Sequence, residues 1–188
     1  MQEKHHPIKT CKRFNTPFHA HELTFSCLNR RPFLSQTKPC LFLIESIIMA
    51  KSKHHFALWA YVFMPEHIHL LIWPNEEAYS ISAIMHSIKQ STSRKAFIYL
   101  RKNNPAGLKH FVTGQKNTPY RFWMDGSGYD RNIFSNEAIK SSIDYIHNNP
   151  VKRGLVSAPG DWQWSSYKDW AGIGTGLMPI DMINIPLL

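Results

Sequence analysis

The stretch FMPEHIHLLIWP, residues 63–74, decides the fold. It joins the end of an aromatic and β-branched run at 54–64 to a second extended run at 67–73. Pro65 and Glu66 separate the two runs, and a connection of that length is too short for a crossover helix. The sequence therefore predicts two neighbouring antiparallel strands at this point of the chain.

Side chains in the second run point alternately to the two faces of the predicted sheet. His67 and His69 therefore share one face, and the apolar residues that alternate with them face a core. Two imidazoles about 6–7 Å apart along a strand can bind one divalent cation. The alternative is a pair of partly buried histidines bonded to the backbone, and His19 and His21 repeat the same spacing elsewhere in the chain.

The rest of the pattern completes one sheet and its helices. It predicts strands at 22–28 and, with a turn or bulge, at 120–134; helices at 38–52, 80–102 and 136–148; and a basic loop at 103–118. The order of these elements is the split βαβ arrangement of a ferredoxin-like sandwich. We therefore predict an α+β fold, with one antiparallel sheet, helices on one face, and an extra C-terminal helix.

Composition limits the class of protein. The chain has 188 residues, 43% hydrophobic and 19% charged, which is typical of a globular domain. No apolar run approaches the roughly 20 residues that a membrane span needs. Three cysteines and no secretory signal favour reduced thiols in a cytoplasm. A structural zinc site built from Cys11, Cys27, Cys40 and His19 or His21 is disfavoured, because the spacing lacks a paired-cysteine knuckle.

The net charge of +9 is unevenly distributed. No acidic residue lies between Glu77 and Asp125, a segment that attracts polyphosphate backbones. Its basic residues are the predicted DNA contacts: Lys89, Arg94, Lys95, Arg101, Lys102, Lys109, Lys116 and Arg121. Binding through such residues is expected to be sensitive to salt. The alternative is a solvated basic face without a partner.

The last predicted helix has a polar flank beside its apolar stripe. Its isoleucines recur at helical spacing and should pack on the sheet. Tyr145 and Asn149 are four residues apart and therefore share a flank beside that stripe. A phenol and an amide oxygen could thus face one metal site. Pro150 disfavours helical geometry at Asn149, so the helix is predicted to end near residue 148.

Four blocks in this order resemble a known family. They are FMPEHIHLLIWP, GYDRNIF, YIHNNPVKRGLV and DWQWSSY, which begin at residues 63, 128, 145 and 161. Together they resemble the REP-associated tyrosine transposases, a branch of the single-tyrosine HUH transposases. The resemblance extends from about Phe14 to about Trp170, nearly the whole chain.

The polar composition of residues 1–18, with two prolines, indicates a poorly ordered basic arm. The resemblance implies a catalytic domain at 19–170, which leaves a tail at 171–188. It implies that His67, His69 and Asn149 hold Mg²⁺ or Mn²⁺ and that Tyr145 is the nucleophile. The implied activity is a metal-dependent endonuclease and strand transferase that cleaves single-stranded or hairpin DNA through a 5′-phosphotyrosine. The implied protein is cytoplasmic and nucleoid-associated, without a membrane partner, and a monomer or homodimer.

A second hypothesis is a non-catalytic module that binds hairpin DNA or RNA through a vestigial site. The intact set of candidate site residues argues against it. We expect Tyr129 to be structural or a DNA contact, and His147 to be a surface polar residue rather than a base. We expect the tryptophans at 162–170 to dock on the core.

Overall fold

The computed structural model describes residues 14–126, 128–182 and 185. The helices are α1 (Thr37–His54), α2 (Ile81–Asn103), α3 (Asn136–Lys152) and α4 (Tyr167–Ala171). The strands are β1 (Ala20–Ser26), β2 (Phe56–Phe63), β3 (His67–Pro74), β4 (Val112–Gln115), β5 (Thr118–Tyr120) and β6 (Tyr129–Ile133). Short 3₁₀ helices occupy Leu28–Arg30, Phe33–Ser35, Pro105–Phe111 and Pro159–Asp161.

The main sheet has the strand order β2-β3-β1-β6, and every neighbouring pair is antiparallel. This order confirms the predicted ferredoxin-like arrangement. Helices α1 and α2 pack on one face, where Ile47 and Ile84 meet Phe25 and Leu70 in the larger core. The serine Ser80 caps α2 by accepting a hydrogen bond from the backbone amide of Ala83.

The extra helix α3 covers the opposite face of the sheet. Its isoleucine stripe is buried against Trp59 and Leu71 in a second core, and the stripe consists of Ile139, Ile143 and Ile146. The sheet is therefore covered on both faces. This explains why all eight residues of β2 are buried and why β2 reads as a continuous apolar run rather than an alternating one.

The predicted end of α3 is wrong. The helix continues through Pro150 to Lys152, and Asn149 keeps its helical position. A proline in the last turn removes only one intrahelical hydrogen bond, and burial of Pro150 favours the continued helix. Gly154, at φ +66°, then allows the chain to turn away.

Two predictions about the segment between α2 and α3 are also corrected. The predicted loop at 103–118 contains a 3₁₀ helix and β4, which pairs with β5 in a small hairpin. The predicted strand at 120–134 is split between β5 and β6, because the aromatic residues Phe122 and Trp123 between them insert into the core. Burial of these rings, rather than sheet pairing, explains their aromatic pattern.

Both ends of the described chain contact the core. Asn15 accepts a hydrogen bond from the Ile81 amide, and the Thr16 carbonyl accepts one from the Tyr79 hydroxyl. The predicted arm is therefore anchored over its last residues, whereas residues 1–13 lie outside the described part of the chain. Near the other end, Asp181 accepts a hydrogen bond from the Leu58 amide at the edge of β2. Among the helices described, none has the length and apolarity to cross a membrane.

Candidate active site

The two histidines of β3 converge at their Nε2 atoms. The Nε2 atoms of His67 and His69 are 3.1 Å apart, and the ring centroids are 4.9 Å apart. Both side chains lie on the α3 face of the sheet, because Leu71, which shares their strand parity, is buried in the core under α3. Two neighbouring ligands of an octahedral ion at about 2.1 Å also lie about 3 Å apart. The histidine pair therefore fits a shared cation.

The outer nitrogens of both rings have partners that fix the rings in place. Nδ1 of His67 lies 3.1 Å from the Glu66 carboxylate, and Nδ1 of His69 lies 2.9 Å from the Thr24 hydroxyl. Glu22, two residues before Thr24 on the same face of β1, has a carboxylate oxygen 3.9 Å from the same His69 nitrogen. Partners of this kind on the outer nitrogen orient a metal-binding imidazole and leave its inner lone pair available.

Burial keeps the two imidazoles neutral. Desolvation, with a smaller contribution from the charge of the neighbouring His67, lowers the pKa of His69 to about 3. Desolvation also lowers the pKa of His67, against the opposing effect of Glu66. Burial alone would raise the pKa of Glu66, but the bond from Arg153 and the charge of His67 hold it below its usual value. Neutral imidazoles beside an ionised carboxylate are the form that coordinates a metal.

Acidification should destabilise the fold. Burial lowers the pKa of His147 to about 4, as it lowers that of His69 to about 3. Their stabilising contribution is complete above the unfolded value of about 6.5 and is lost as pH falls, because only the unfolded chain takes up these protons. Between about pH 7 and pH 5, denaturant titration in a chelator should show a loss of about 2–4 kcal/mol. His147→Gln should reduce this loss, and an unfolding free energy unchanged over this range would contradict the burial argument.

Tyr145 lies directly beside the histidine pair. Its ring meets the His69 ring edge-on, with centroids 5.4 Å apart. The side chain is 41% exposed, so the phenol borders solvent as well as the histidines. The placement follows from α3, because the isoleucine stripe that docks the helix leaves Tyr145 on the adjoining flank.

Asn149 lies one helical turn beyond Tyr145. Its side chain is buried, and its amide Nδ2 donates a hydrogen bond to the Tyr145 carbonyl at 3.3 Å. That bond uses the nitrogen of the amide and directs the amide oxygen away from the same carbonyl. Two imidazole nitrogens and an amide oxygen form a donor set that fits Mg²⁺, Mn²⁺ or zinc.

Two cations beside this site are residues that the sequence pattern did not single out. The Lys152 Nζ lies 5.0 Å from the centre of the Tyr145 ring. Arg153 forms an ion pair with Glu66 at 2.8 Å. This pair links the end of α3 to the carboxylate that contacts His67. Both residues belong to the block YIHNNPVKRGLV, which is the signal that could have pointed to them.

The predicted DNA contacts lie in a different layer. Most belong to α2 and the segment after it, and α2 packs on the face of the sheet opposite to the histidines. Three have partners within the protein: Lys89 binds the Met124 and Gly126 carbonyls, Lys95 binds Glu45, and Arg121 binds Asp125. The remaining five are exposed: Arg94, Arg101, Lys102, Lys109 and Lys116.

The expectation of an exposed His147 is wrong. Its Nε2 lies 2.9 Å from the Ser166 hydroxyl, and the side chain is buried. Ser166 in turn accepts a hydrogen bond from the Tyr61 amide of β2. The block DWQWSSY therefore fastens α3 to the sheet, and the predicted docking of its tryptophans is confirmed by the bond from Trp162 Nε1 to the Phe63 carbonyl.

The second His-x-His pair has another role. His21 is buried on the α1–α2 face, where its Nδ1 lies 2.7 Å from Asp130 and its Nε2 lies 2.8 Å from the Tyr79 hydroxyl.

Cys27 and Cys40 are buried free thiols, and Cys11 lies outside the described residues. Within 14–126, 128–182 and 185, no group of three or more His, Cys, Asp or Glu side chains is arranged to hold a metal ion.

Comparison with known proteins defines the class. Residues 18–149 match the family model described as "Transposase IS200 like". The chain belongs to this transposase family. The match spans both histidines, Tyr145 and Asn149, and the family resemblance predicted from the sequence blocks is confirmed.

Individual relatives refine the placement. The chain is 28% identical over 158 residues to the REP-associated tyrosine transposase of Escherichia coli strain K12, covering 84% of this chain and 81% of the relative. It also resembles a solved structure of a REP-associated tyrosine transposase bound to a REP hairpin, with a TM-score of 0.69 and 22% identity. That alignment covers 96% of this chain and 98% of the solved chain, and it supports the fold.

Proposed function

We propose that this protein is a metal-dependent DNA endonuclease and strand transferase that acts on single-stranded or hairpin DNA. The observation that carries the proposal is the contact of the half-exposed Tyr145 ring with His69, whose Nε2 lies 3.1 Å from that of His67. A solvent-exposed nucleophile beside two buried, neutral imidazoles that can hold a divalent cation is an arrangement suited to phosphodiester cleavage.

In this mechanism, the Tyr145 hydroxyl oxygen attacks the scissile phosphorus in line with the leaving oxygen. A bond forms between the tyrosine oxygen and phosphorus, and the bond from phosphorus to the 3′ oxygen breaks. The phenolic proton passes to solvent, and the leaving 3′ oxygen takes up one proton from solvent. The products are a 5′-phosphotyrosine and a free 3′-hydroxyl. The covalent bond conserves the energy of the phosphodiester, so a later 3′-hydroxyl can reverse the step and join a strand.

His67, His69 and Asn149 would hold Mg²⁺ or Mn²⁺, which would polarise the phosphate and neutralise developing charge. Thr24 and Glu66 orient the two imidazoles through their outer nitrogens. Lys152, above the Tyr145 ring, adds positive charge where the phosphate arrives.

The proposed DNA substrate rests on charge and on the relatives. The net charge of +9 favours a polyanionic partner. The solved relative is bound to a REP hairpin, so a hairpin with single-stranded flanks is the first substrate to test. We propose that the five exposed basic residues of α2 and the segment after it contact the backbone away from the scissile phosphate.

The proposal is tested with a labelled hairpin oligonucleotide that carries single-stranded flanks, incubated with the full chain and Mn²⁺. A labelled protein band that survives denaturation is expected, and peptide mapping should locate the adduct on Tyr145. Hairpin binding without cleavage under Mg²⁺, Mn²⁺ or other divalent ions would instead favour the non-catalytic module.

Two lysines at equivalent helix positions can test whether the two faces of the sheet have different roles. Lys152 and Lys102 are both exposed and lie in the last turn of α3 and α2, respectively. Lys152→Gln should lower kcat for cleavage by roughly 5- to 10-fold, because its charge lies beside the reacting tyrosine. Lys102→Gln should leave kcat unchanged and weaken binding, with a salt dependence reduced by about one contact. Equal effects on kcat from both variants would contradict this assignment of faces.

A further inference from the structure

The block GYDRNIF forms β6 and has no role in the proposed chemistry. In the sheet register, Thr24 of β1 lies opposite both His69 and Tyr129. Directly opposed residues of antiparallel strands project to the same face, so Tyr129 projects to the face that holds His69 and Tyr145. Ile133, which shares the strand parity of Tyr129, is buried under α3 and supports this orientation.

Tyr129 is an exposed aromatic residue at a position that the fold holds in place. Its side chain is 53% exposed, on the edge strand of the sheet. The residue before it, Gly128, has φ +74°, and a Cβ there would lie 2.3 Å from the Thr24 carbonyl oxygen. Only glycine permits this close approach of β6 to β1.

The loop before Gly128 is anchored from the other face. Nζ of Lys89 donates to the carbonyls of Met124 and Gly126 at 3.0 and 2.6 Å. Arg121 also pairs with Asp125 at 3.1 Å. These contacts hold Met124, Asp125 and Gly126 in place a few residues before β6, and the Tyr129 ring that follows is exposed.

We propose that Tyr129 is a stacking platform for a nucleobase of the DNA strand next to the scissile phosphate. The inference rests on the proposed nuclease function. Two strand spacings place the Tyr129 Cα about 10 Å from that of His69, which is about the reach of a nucleotide next to a phosphate held between His69 and Tyr145. An exposed phenol ring stacks on any base and so suits a strand that has been unpaired.

The charge beside Tyr129 supports a nucleic-acid strand on this face. Arg131, two residues further along β6, projects to the same face and is tied at 2.6 Å to Glu22, which also accepts a hydrogen bond from Ser142 of α3. The side chain of Arg131 is 46% exposed. A guanidinium fixed next to an exposed ring is an arrangement that accommodates the phosphate and the base of one nucleotide together.

The test uses 2-aminopurine, a fluorescent base that stacking quenches, placed at one position at a time along the flanks of a hairpin oligonucleotide. Binding is measured with the full chain carrying Tyr145→Phe, so that the readout does not depend on cleavage. One position near the cleavage point should be quenched, and adding Tyr129→Ala should abolish the quenching and weaken binding roughly 10-fold. Tyr129→Phe and Tyr129→Trp should retain both properties.

Phe134→Ala is the matched control, because Phe134 is an exposed aromatic residue just after the other end of the same strand. In proteins with Tyr145 intact, Tyr129→Ala should raise KM more than it lowers kcat. Quenching that persists in Tyr129→Ala overturns the inference while leaving the nuclease proposal in place. Loss of quenching in Tyr129→Phe as well as in Tyr129→Ala also overturns it, since the hydroxyl rather than the ring would then be required. Position-specific quenching without any cleavage by the parent chain would overturn only the nuclease proposal.

Discussion

Tyr145→Phe should abolish the covalent protein–DNA adduct and reduce strand cleavage by at least about 1,000-fold. The substitution removes one oxygen and keeps the ring that meets His69 edge-on. Because the side chain is 41% exposed, the loss of its hydroxyl should change the free energy of unfolding little. Cleavage and adduct formation are measured on denaturing gels, and hairpin binding by fluorescence anisotropy.

Tyr99→Phe provides the matched control for this experiment. Tyr99 is also a partly exposed helical tyrosine, but it lies on α2, which packs on the other face of the sheet. It should retain full cleavage, whereas Tyr145→Phe should retain only binding. An adduct formed by Tyr145→Phe would show that another residue is the nucleophile.

The sequence predicted the fold because the deciding signals are local. Strand alternation around His67 and His69 and the short Pro65-Glu66 connection require neither long-range contacts nor a template. The isoleucine stripe of α3 likewise predicted which flank would present Tyr145. Local periodicity determines which side of α3 packs on the sheet and which face of β3 carries the two histidines. The phenol and the two imidazoles meet because α3 packs on that same face of the sheet.

The parts that the sequence did not predict depend on contacts between distant segments. Thr24 reaches His69 across 45 residues, and Arg153 reaches Glu66 across 87 residues. Neither contact can be predicted from the sequence spacing of its two residues. The continuation of α3 through Pro150 was missed for a related reason, because the burial that favours it comes from the tertiary structure rather than from the local sequence.

The charged residues show the same limit. A run without acidic residues predicted that Lys89, Lys95 and Arg121 contact DNA, and the structure adds that each of them also has a partner within the protein. Charge density along a sequence predicts the sign of the partner's charge but not the face of the protein to which the partner binds. Lys152 and Arg153 lie at the candidate site in a segment of ordinary charge, since the docking of α3 places them there.

His69→Gln should eliminate metal-dependent cleavage, with a loss of at least about 100-fold, while hairpin binding is retained. Glutamine keeps a polar group near Thr24, but it removes the imidazole Nε2 that faces His67 at 3.1 Å. A divalent cation that binds the folded chain raises its melting temperature by mass action. Mn²⁺ should therefore raise the melting temperature of the parent protein and leave that of His69→Gln unchanged.

This thermal shift separates loss of the ion from damage to the catalytic step, because it does not depend on turnover. His19→Gln is the matched control, since His19 belongs to the other His-x-His pair and contacts Phe134 rather than Tyr145. It should keep both the Mn²⁺ shift and the cleavage activity of the parent. An Mn²⁺ shift that persists in His69→Gln and also in a His67→Gln variant would place the cation elsewhere, because two opposed Nε2 atoms cannot both be dispensable to an ion that they share.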